Sequence, residues 1–404
     1  MYREVRLVVA FLIFLVLLHV GCLRKLGQRV GDALTSWIGD RDLMTFGLFA
    51  SGKIWNTAWG RTLAARKDGD VAWAIVLERI GEQGSRNRIA EVWLSSRDTL
   101  KGWGNVGDEG VVAWALEGRD GVNVYAATSP DWTERVVYAG ASGMTYPPVT
   151  MGSEIVLADD QEVWAVSTRT LERRRVYKSP VQIYSVSMAG GNGMLCWFDF
   201  LDNRDVLFGS YRASRVREIR IDYGAGGEKN GAIGWDVGVL GDGVVAVLVR
   251  DLWPAEMGTE ECQEEAPKRC FDYFTSRLRG EGIVVVSRGP KRWETVARFS
   301  FEGPLGSVQV DGYGDFICWS EGASGVKIVA LEDRESWRIW PNEVRALSLG
   351  SACLAIEDDE GVKVLEVRSG HVVKTIPGAA MPSLKGEWLA YLLPVEKAGK
   401  LEDL

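Results

Sequence analysis

One Gly-led strand is recopied along most of this chain, and a repeat of that kind leaves few folds open. The pattern is Gly, one or two residues, two apolar residues, a small residue and often an aromatic. It reads Gly69-Asp-Val-Ala-Trp73, Gly110-Val-Val-Ala-Trp114, Gly193-Met-Leu-Cys-Trp197 and Gly243-Val-Val-Ala-Val247. One residue longer, it continues as Gly314-Asp-Phe-Ile-Cys-Trp319 and Gly386-Glu-Trp-Leu-Ala-Tyr391, with weaker copies at Gly152 and Gly350. Successive Gly numbers differ by 41, 42, 41, 50, 71, 36 and 36. Copies are followed by alternating segments such as Val122–Ala126, Glu162–Val166, Val326–Ala330 and Val362–Val367, then by short ones such as Arg135–Tyr138, Arg175–Tyr177 and Val372–Ile376. β-branched and aromatic residues suit a pleated surface, and Gly supplies the turns, as the 47 Gly and 17 Trp of the chain suggest. The small Ala or Cys is expected to relieve crowding beside the bulky Trp.

A period near 40 in an all-β chain is the spacing of four-stranded propeller blades. The last copy leaves too little chain for two further strands. Thr45–Ala50 and Lys53–Trp59 are therefore expected to complete its blade and close the ring, giving eight blades, with seven as the alternative. Residues Val362 to Pro377 resemble the repeat of YVTN-type and quinoprotein-like propellers, and Met381 to Tyr391 is similar to the repeat start in TolB-type propellers. The resemblance covers about residues 43–394. It implies architecture and says little of function, because propellers host unrelated activities.

The N-terminus reads as an export or anchoring signal over residues 1–23. Arg3 and Arg6 precede an apolar run from Leu7 to Leu23 broken only by His19, the pattern of a signal peptide or signal-anchor. The end of the run, Leu17-Leu18-His19-Val20-Gly21-Cys22, resembles a bacterial lipoprotein box. That resemblance implies lipidation at Cys22, and His19 departs from the aliphatic residue usual there. Lipoprotein, uncleaved anchor and cleaved product all stay open. Leu23, Leu26, Val30, Leu34, Trp37 and Ile38 then form one stripe of a short amphipathic helix within 24–42. A charged tail, 395–404, ends the chain.

The 50- and 71-residue steps mark insertions, the longer spanning 252–280 in one blade. Insertions in repeat folds map to rims, where binding resides. Trp253, Glu260, Glu261, Phe271, Tyr273 and Phe274 are the candidate partner-binding residues. Cys262 and Cys270, which enclose seven residues in a polar segment, are a candidate disulfide. Cys196, Cys318 and Cys353 lie in apolar strands and read as buried thiols. Acidic clusters at Asp202–Asp205, Asp311–Asp315 and Glu357–Gly361 read as turns.

Composition narrows the chemistry. Forty-seven Lys and Arg against 55 Asp and Glu give a net charge of −8, which argues against a nucleic-acid binder. Two His make a His-based metal centre or general base improbable. No catalytic, cofactor or metal site is expected. The reading is a membrane-tethered, extracytoplasmic propeller that scaffolds another protein of the cell envelope, with an N-terminal attachment to the membrane. The alternative is an enzyme or ligand-binding propeller acting on a saccharide or peptide in its central funnel.

Overall fold

The computed structural model describes residues 71–394 except 82–86, 95–98, 108, 119–120, 130–131, 142–147, 160, 180–187, 192–193, 202–203, 212–214, 220–232, 255–277 and 289–292. The apolar segment, the amphipathic helix, Thr45–Trp59 and the charged tail lie outside the described residues.

Among the described residues two strands, β1 (Val71–Arg79) and β2 (Asn87–Leu94), come first. Four-stranded antiparallel sheets follow in chain order: β3 (Thr99–Val106) to β6 (Arg135–Ala141) through β4 (Val111–Gly118) and β5 (Gly121–Thr128), then β7 (Val149–Met151), β8 (Glu154–Asp159), β9 (Glu162–Ser167) and β10 (Arg173–Lys178). The next is β11 (Met188–Gly191), β12 (Met194–Leu201), β13 (Arg204–Tyr211) and β14 (Arg215–Ile219). It is followed by β15 (Ile233–Val239), β16 (Gly243–Pro254), β17 (Leu278–Arg288) and β18 (Trp293–Gly303). Two shorter sheets comprise β19 (Val310–Tyr313), β20 (Phe316–Ser320), β21 (Val326–Ala330) and β22 (Ser336–Trp340), and β23 (Ala346–Leu349), β24 (Cys353–Glu357), β25 (Gly361–Glu366) and β26 (Val372–Pro377). Last come β27 (Ala380–Lys385) and β28 (Trp388–Pro394), and β28 pairs antiparallel with β1, Val76 opposite Tyr391. The first and last of the described strands thus share one sheet, ordered β2-β1-β28-β27.

First strands touch in a closed cycle: β3 to β7, β11, β15, β19, β23, β27 and back to β3. Hydrophobic layers fill the gaps between neighbouring sheets. Val111, Ala113, Ile155 and Leu157 form one such layer, and Cys318, Ile328, Leu347 and Leu354 another. The core is radial. This arrangement is a β-propeller: inner strands such as β23, β27 and β28 are buried on both faces, and outer ones such as β10 and β26 are partly exposed.

Seven four-stranded sheets stand among the described residues. The Gly69 copy explains the difference from eight: its Val71–Trp73 opens β1, the third strand of the sheet that already holds the Gly386 copy. That sheet is completed by β1 and β2, the role the sequence reading gave to Thr45–Ala50 and Lys53–Trp59. The small residue also has a different reason. Trp114 and Ala113, Trp197 and Cys196, and Trp319 and Cys318 point into different layers, since adjacent strand residues face opposite ways. The small side chain therefore cannot relieve crowding in the layer of its own Trp.

Candidate functional site

The sheet that carries the long insertion differs from the rest in length. β16 has 12 residues, and β17 and β18 have 11 each. Pairing runs to the border of the insertion, Pro254 opposite Leu278 and Leu278 opposite Gly303. Leu278, Phe299 and Phe301 are buried with Trp235, Leu305 and Val308, each such side chain contributing about 1.5–3 kcal/mol by burial. The tip of β18 docks on the next sheet. Glu302 and Gly322 form a parallel bridge, and the Ala323 N–H donates to the Glu302 carbonyl at 3.2 Å.

Charges cross the extension in a ladder. Arg250 Nε donates to Glu281 at 2.6 Å, Arg298 reaches Glu281 at 3.3 Å, and Arg279 reaches Glu302 at 3.2 Å. These pairs are partly solvated and individually worth about 0–1 kcal/mol. Apolar packing, and pairing that resumes beyond a bulge between Arg250 and Trp253, stiffen the stub. The insertion of 252–280 is thus shorter than its sequence step suggests, because 252–254 and 278–280 are strand. Trp253 stands in β16 opposite Arg279. Glu260, Glu261, Cys262, Cys270, Phe271, Tyr273, Phe274 and Cys22 lie outside the described residues.

A second constellation, which sequence reasoning missed, lines the inner strands. Each of several first strands uses one side chain to accept a backbone N–H of the next first strand. Asp236 in β15 accepts from Val310 N at 2.9 Å, Asp311 in β19 from Leu349 N at 2.9 Å, Ser348 in β23 from Leu384 N at 2.9 Å, and Ser383 in β27 from Val106 N at 2.9 Å. The small residue of the repeat now has a partner. Cys318, Ala355 and Ala390 stand opposite Asp311, Ser348 and Ser383 in the pairing register. First strands also approach one another closely. A Cβ on Gly238 would come within 2.9 Å of Asp311 Cα and Gly312 N, so only glycine fits there.

Asp311 is the hub. It receives Lys385 Nζ at 2.9 Å, Ser348 Oγ at 3.2 Å and Gly312 N at 2.8 Å besides Leu349 N. Lys385 is 6% exposed and Asp311 14%. Four donors converge on this carboxylate, so its lone pairs are taken up by architecture and little acceptor capacity is left for general-base work. Asp311 is therefore a strand residue and not the turn residue expected from sequence. Glu357 likewise ends β24, buried, and accepts Met381 N at 2.7 Å. Asp358 does serve a turn, accepting Glu360 N at 2.9 Å.

The thiols of Cys196 and Cys318 are buried, as expected, and donate to the carbonyls of Gly238 and Asp311 at 3.7 Å. Burial pushes both thiols well up, so neither is a ready nucleophile. Among the described residues no group of His, Cys, Asp and Glu could hold a metal ion. Among the described residues, no helix is long and apolar enough to cross a membrane.

No family model matches the chain, and no curated protein matches it in sequence. Solved structures do resemble it. Human WBSCR16 is 11% identical with a TM-score of 0.47, over 81% of this chain and 99% of that one. BamB from Moraxella catarrhalis is 12% identical with a TM-score of 0.39, over 77% and 89% of the two chains. A chain of the nidogen/laminin complex is 11% identical with a TM-score of 0.36, over 65% and 91%. The propeller assignment rests on the sheet order and the cycle of first strands.

Proposed function

We propose that this chain is a seven-bladed, membrane-tethered, extracytoplasmic propeller that scaffolds another protein of the cell envelope, its insertion at 255–277 being the docking element. The observation that carries this reading is the elongated β16–β18 stub. A sheet that continues past its neighbours through a bulge between Arg250 and Trp253, packs its apolar face and docks on the adjacent blade is a rigid mount for a loop, and rigid mounts for long loops serve recognition. Phe271, Tyr273 and Phe274 supply aromatic anchors of the kind that dominate interfaces. The Cys262–Cys270 pair, eight positions apart, would staple the loop in an oxidising compartment. Engagement of Asp236 and Asp311 by main-chain N–H groups favours the scaffold over a funnel enzyme.

Crosslinking mass spectrometry on native membranes tests the proposal. The expected result is one stoichiometric companion crosslinked through Lys268, with Cys262 and Cys270 joined and the N-terminus either acylated at Cys22 or intact from Met1. Absence of a stoichiometric companion, or free thiols at 262 and 270 in native material, would overturn it.

A further inference from the structure

Antiparallel neighbours reverse direction, so each kind of turn leaves a propeller sheet from a fixed end of the ring. First-to-second turns, such as 350–352 between β23 and β24, mark one end. Second-to-third connections mark the other, among them 321–325 between β20 and β21 and the insertion between β16 and β17.

The closing sheet obeys the same polarity. β28 follows β27 through the turn at 386–387, so it is a second strand and ends at Pro394 on the insertion-bearing end. β1 pairs antiparallel with it, Trp73 opposite Pro394 and Arg79 opposite Trp388. Val71 therefore enters the ring at that end too. Around the cycle of first strands, β15 stands three steps from β27. The N-terminal entry and the mount of the insertion thus lie on nearly opposite sides of the axis, at one end of the molecule.

That end is rigid from one point to the other. Glu302 bridges to Gly322, Gln309 Nε2 donates to the Arg345 carbonyl at 2.8 Å, and Glu357 accepts Met381 N at 2.7 Å. Each contact joins one sheet to the next, from the β15–β18 sheet round to the closing sheet.

We propose that this end of the ring faces the membrane, and that the partner it docks is a protein embedded in that membrane. The inference rests on the tethered-scaffold reading and deepens it by naming the partner's class. Residues 24–70 separate the apolar run from β1. With the amphipathic stripe laid on lipid, 43–70 remain, and a coil of that length has an r.m.s. span of about 26–32 Å. β4 and β5, eight residues each, set a blade height of about 26 Å. To turn the opposite end to the bilayer, the link would have to climb that whole height, leaving almost none of its span to reach lipid. The entry end is the membrane-facing one, and the stub points into the space between ring and bilayer. Tethering raises the effective concentration of the docking element for a site in the same membrane, and does nothing for a soluble companion.

The test reconstitutes the full chain in phosphatidylethanolamine–phosphatidylglycerol vesicles that carry a headgroup-labelled acceptor lipid. A donor dye is attached through Ala323→p-azidophenylalanine on the insertion-bearing end or Ala352→p-azidophenylalanine on the other, both exposed positions. Their heights differ by about 17 Å, the rise of the five residues of β20, so energy transfer from 323 is expected to exceed that from 352 about twofold or more. Equal transfer, or more from 352, in chains that float with the vesicles would overturn the inference and leave the scaffold reading in place. A chain that does not float with vesicles would remove the tether, and both readings with it. In native membranes, the companion crosslinked to the unmodified chain should stay with the bilayer through an alkaline carbonate wash. Its release would overturn the partner's class alone.

Discussion

Single residues at third-to-fourth turns show how far local rules were followed. Gly370 occupies one such turn at φ +69°, where glycine suffers no Cβ clash. Leu171 and Arg334 hold the same handedness in equivalent turns, at φ +60° and +58°. The left-handed conformation costs a non-glycine residue about 1–2 kcal/mol, and glycine's extra unfolded-state freedom returns about half of that. Leu171→Gly and Arg334→Gly should therefore each raise stability by up to about 1 kcal/mol, read as a higher urea midpoint at unchanged slope; a lower midpoint would show that these side chains make compensating contacts. Tyr138 gives a prediction of a different kind. Its phenol donates to Asp159 at 2.7 Å across two sheets, beneath the guanidinium of Arg173. Burial, then the bond to Asp159 and its charge, lift the phenol from 10.0 to about 12. A group raised in the folded state stabilises fully below its unfolded value, so this contribution is intact below pH 10 and fades between pH 10 and about 12. In the difference of 295 nm titrations between the wild type and Tyr138→Phe, the missing tyrosine should be the late one, and Asp159→Asn should move it towards 10. A missing tyrosine that titrates with the others would contradict the geometry.

At the level of elements, second, third and fourth strands were readable and first strands were not. Val122–Ala126 in β5, Glu162–Val166 in β9 and Val372–Ile376 in β26 show β-branched residues in clear segments. β11 is Met188-Ala-Gly-Gly191, and β19 is Val310-Asp-Gly-Tyr313. Strands this short, with Gly and Asp, look like turns because their residues are chosen for close approach and for capping the neighbouring strand, neither of which leaves a period-2 pattern. The candidate site was legible only as an excess of residues between Gly243 and Gly314; the strand extension on either side required the pairing register. The capping arrangement predicts unequal costs. Ser383→Ala leaves the buried Val106 N–H without its acceptor and should cost about 1–3 kcal/mol, while Ser351→Ala, on an exposed turn, should cost little. Asp311→Asn strands a buried lysine and should cost about 3–5 kcal/mol. Lys385→Met should cost less, because Asp311 keeps Leu349 N, Gly312 N and Ser348 Oγ. Chemical denaturation orders the four; equal losses at 311 and 385 would mean that the ion pair, and not the main-chain capping, holds these sheets.

For the whole molecule the decisive contact is the one between the first and last described strands. β1 is buried on both faces: Trp73, Ile75 and Leu77 pack with Val112 and Trp114 on one side, and Ala74 and Val76 with Val362 and Val364 on the other. A clasp reinforces it, Lys374 Nζ from the adjacent sheet reaching the buried Glu78 at 2.7 Å. The repeat announced a ring, yet the strand that closes it imitates the repeat itself, and so the closing pair was assigned too early in the sequence, at 45–59 where the strands run from 71 to 94. Until β1 finds β28, more than 300 residues away, the edge of β28 is an open template of N–H and C=O groups. Contacts of such separation form slowly because their loop-closure entropy comes before any reward. Deleting 71–94 should leave the remaining sheets formed but expose that edge and the layers beside it. Size-exclusion chromatography should then show self-association with little loss of far-ultraviolet strand signal. A peptide of residues 71–94 added during refolding should restore the elution volume of the intact chain, as its strand pairs with β28. A deletion variant that elutes as the intact chain does, with no effect of the peptide, would show that the ring is held without its clasp.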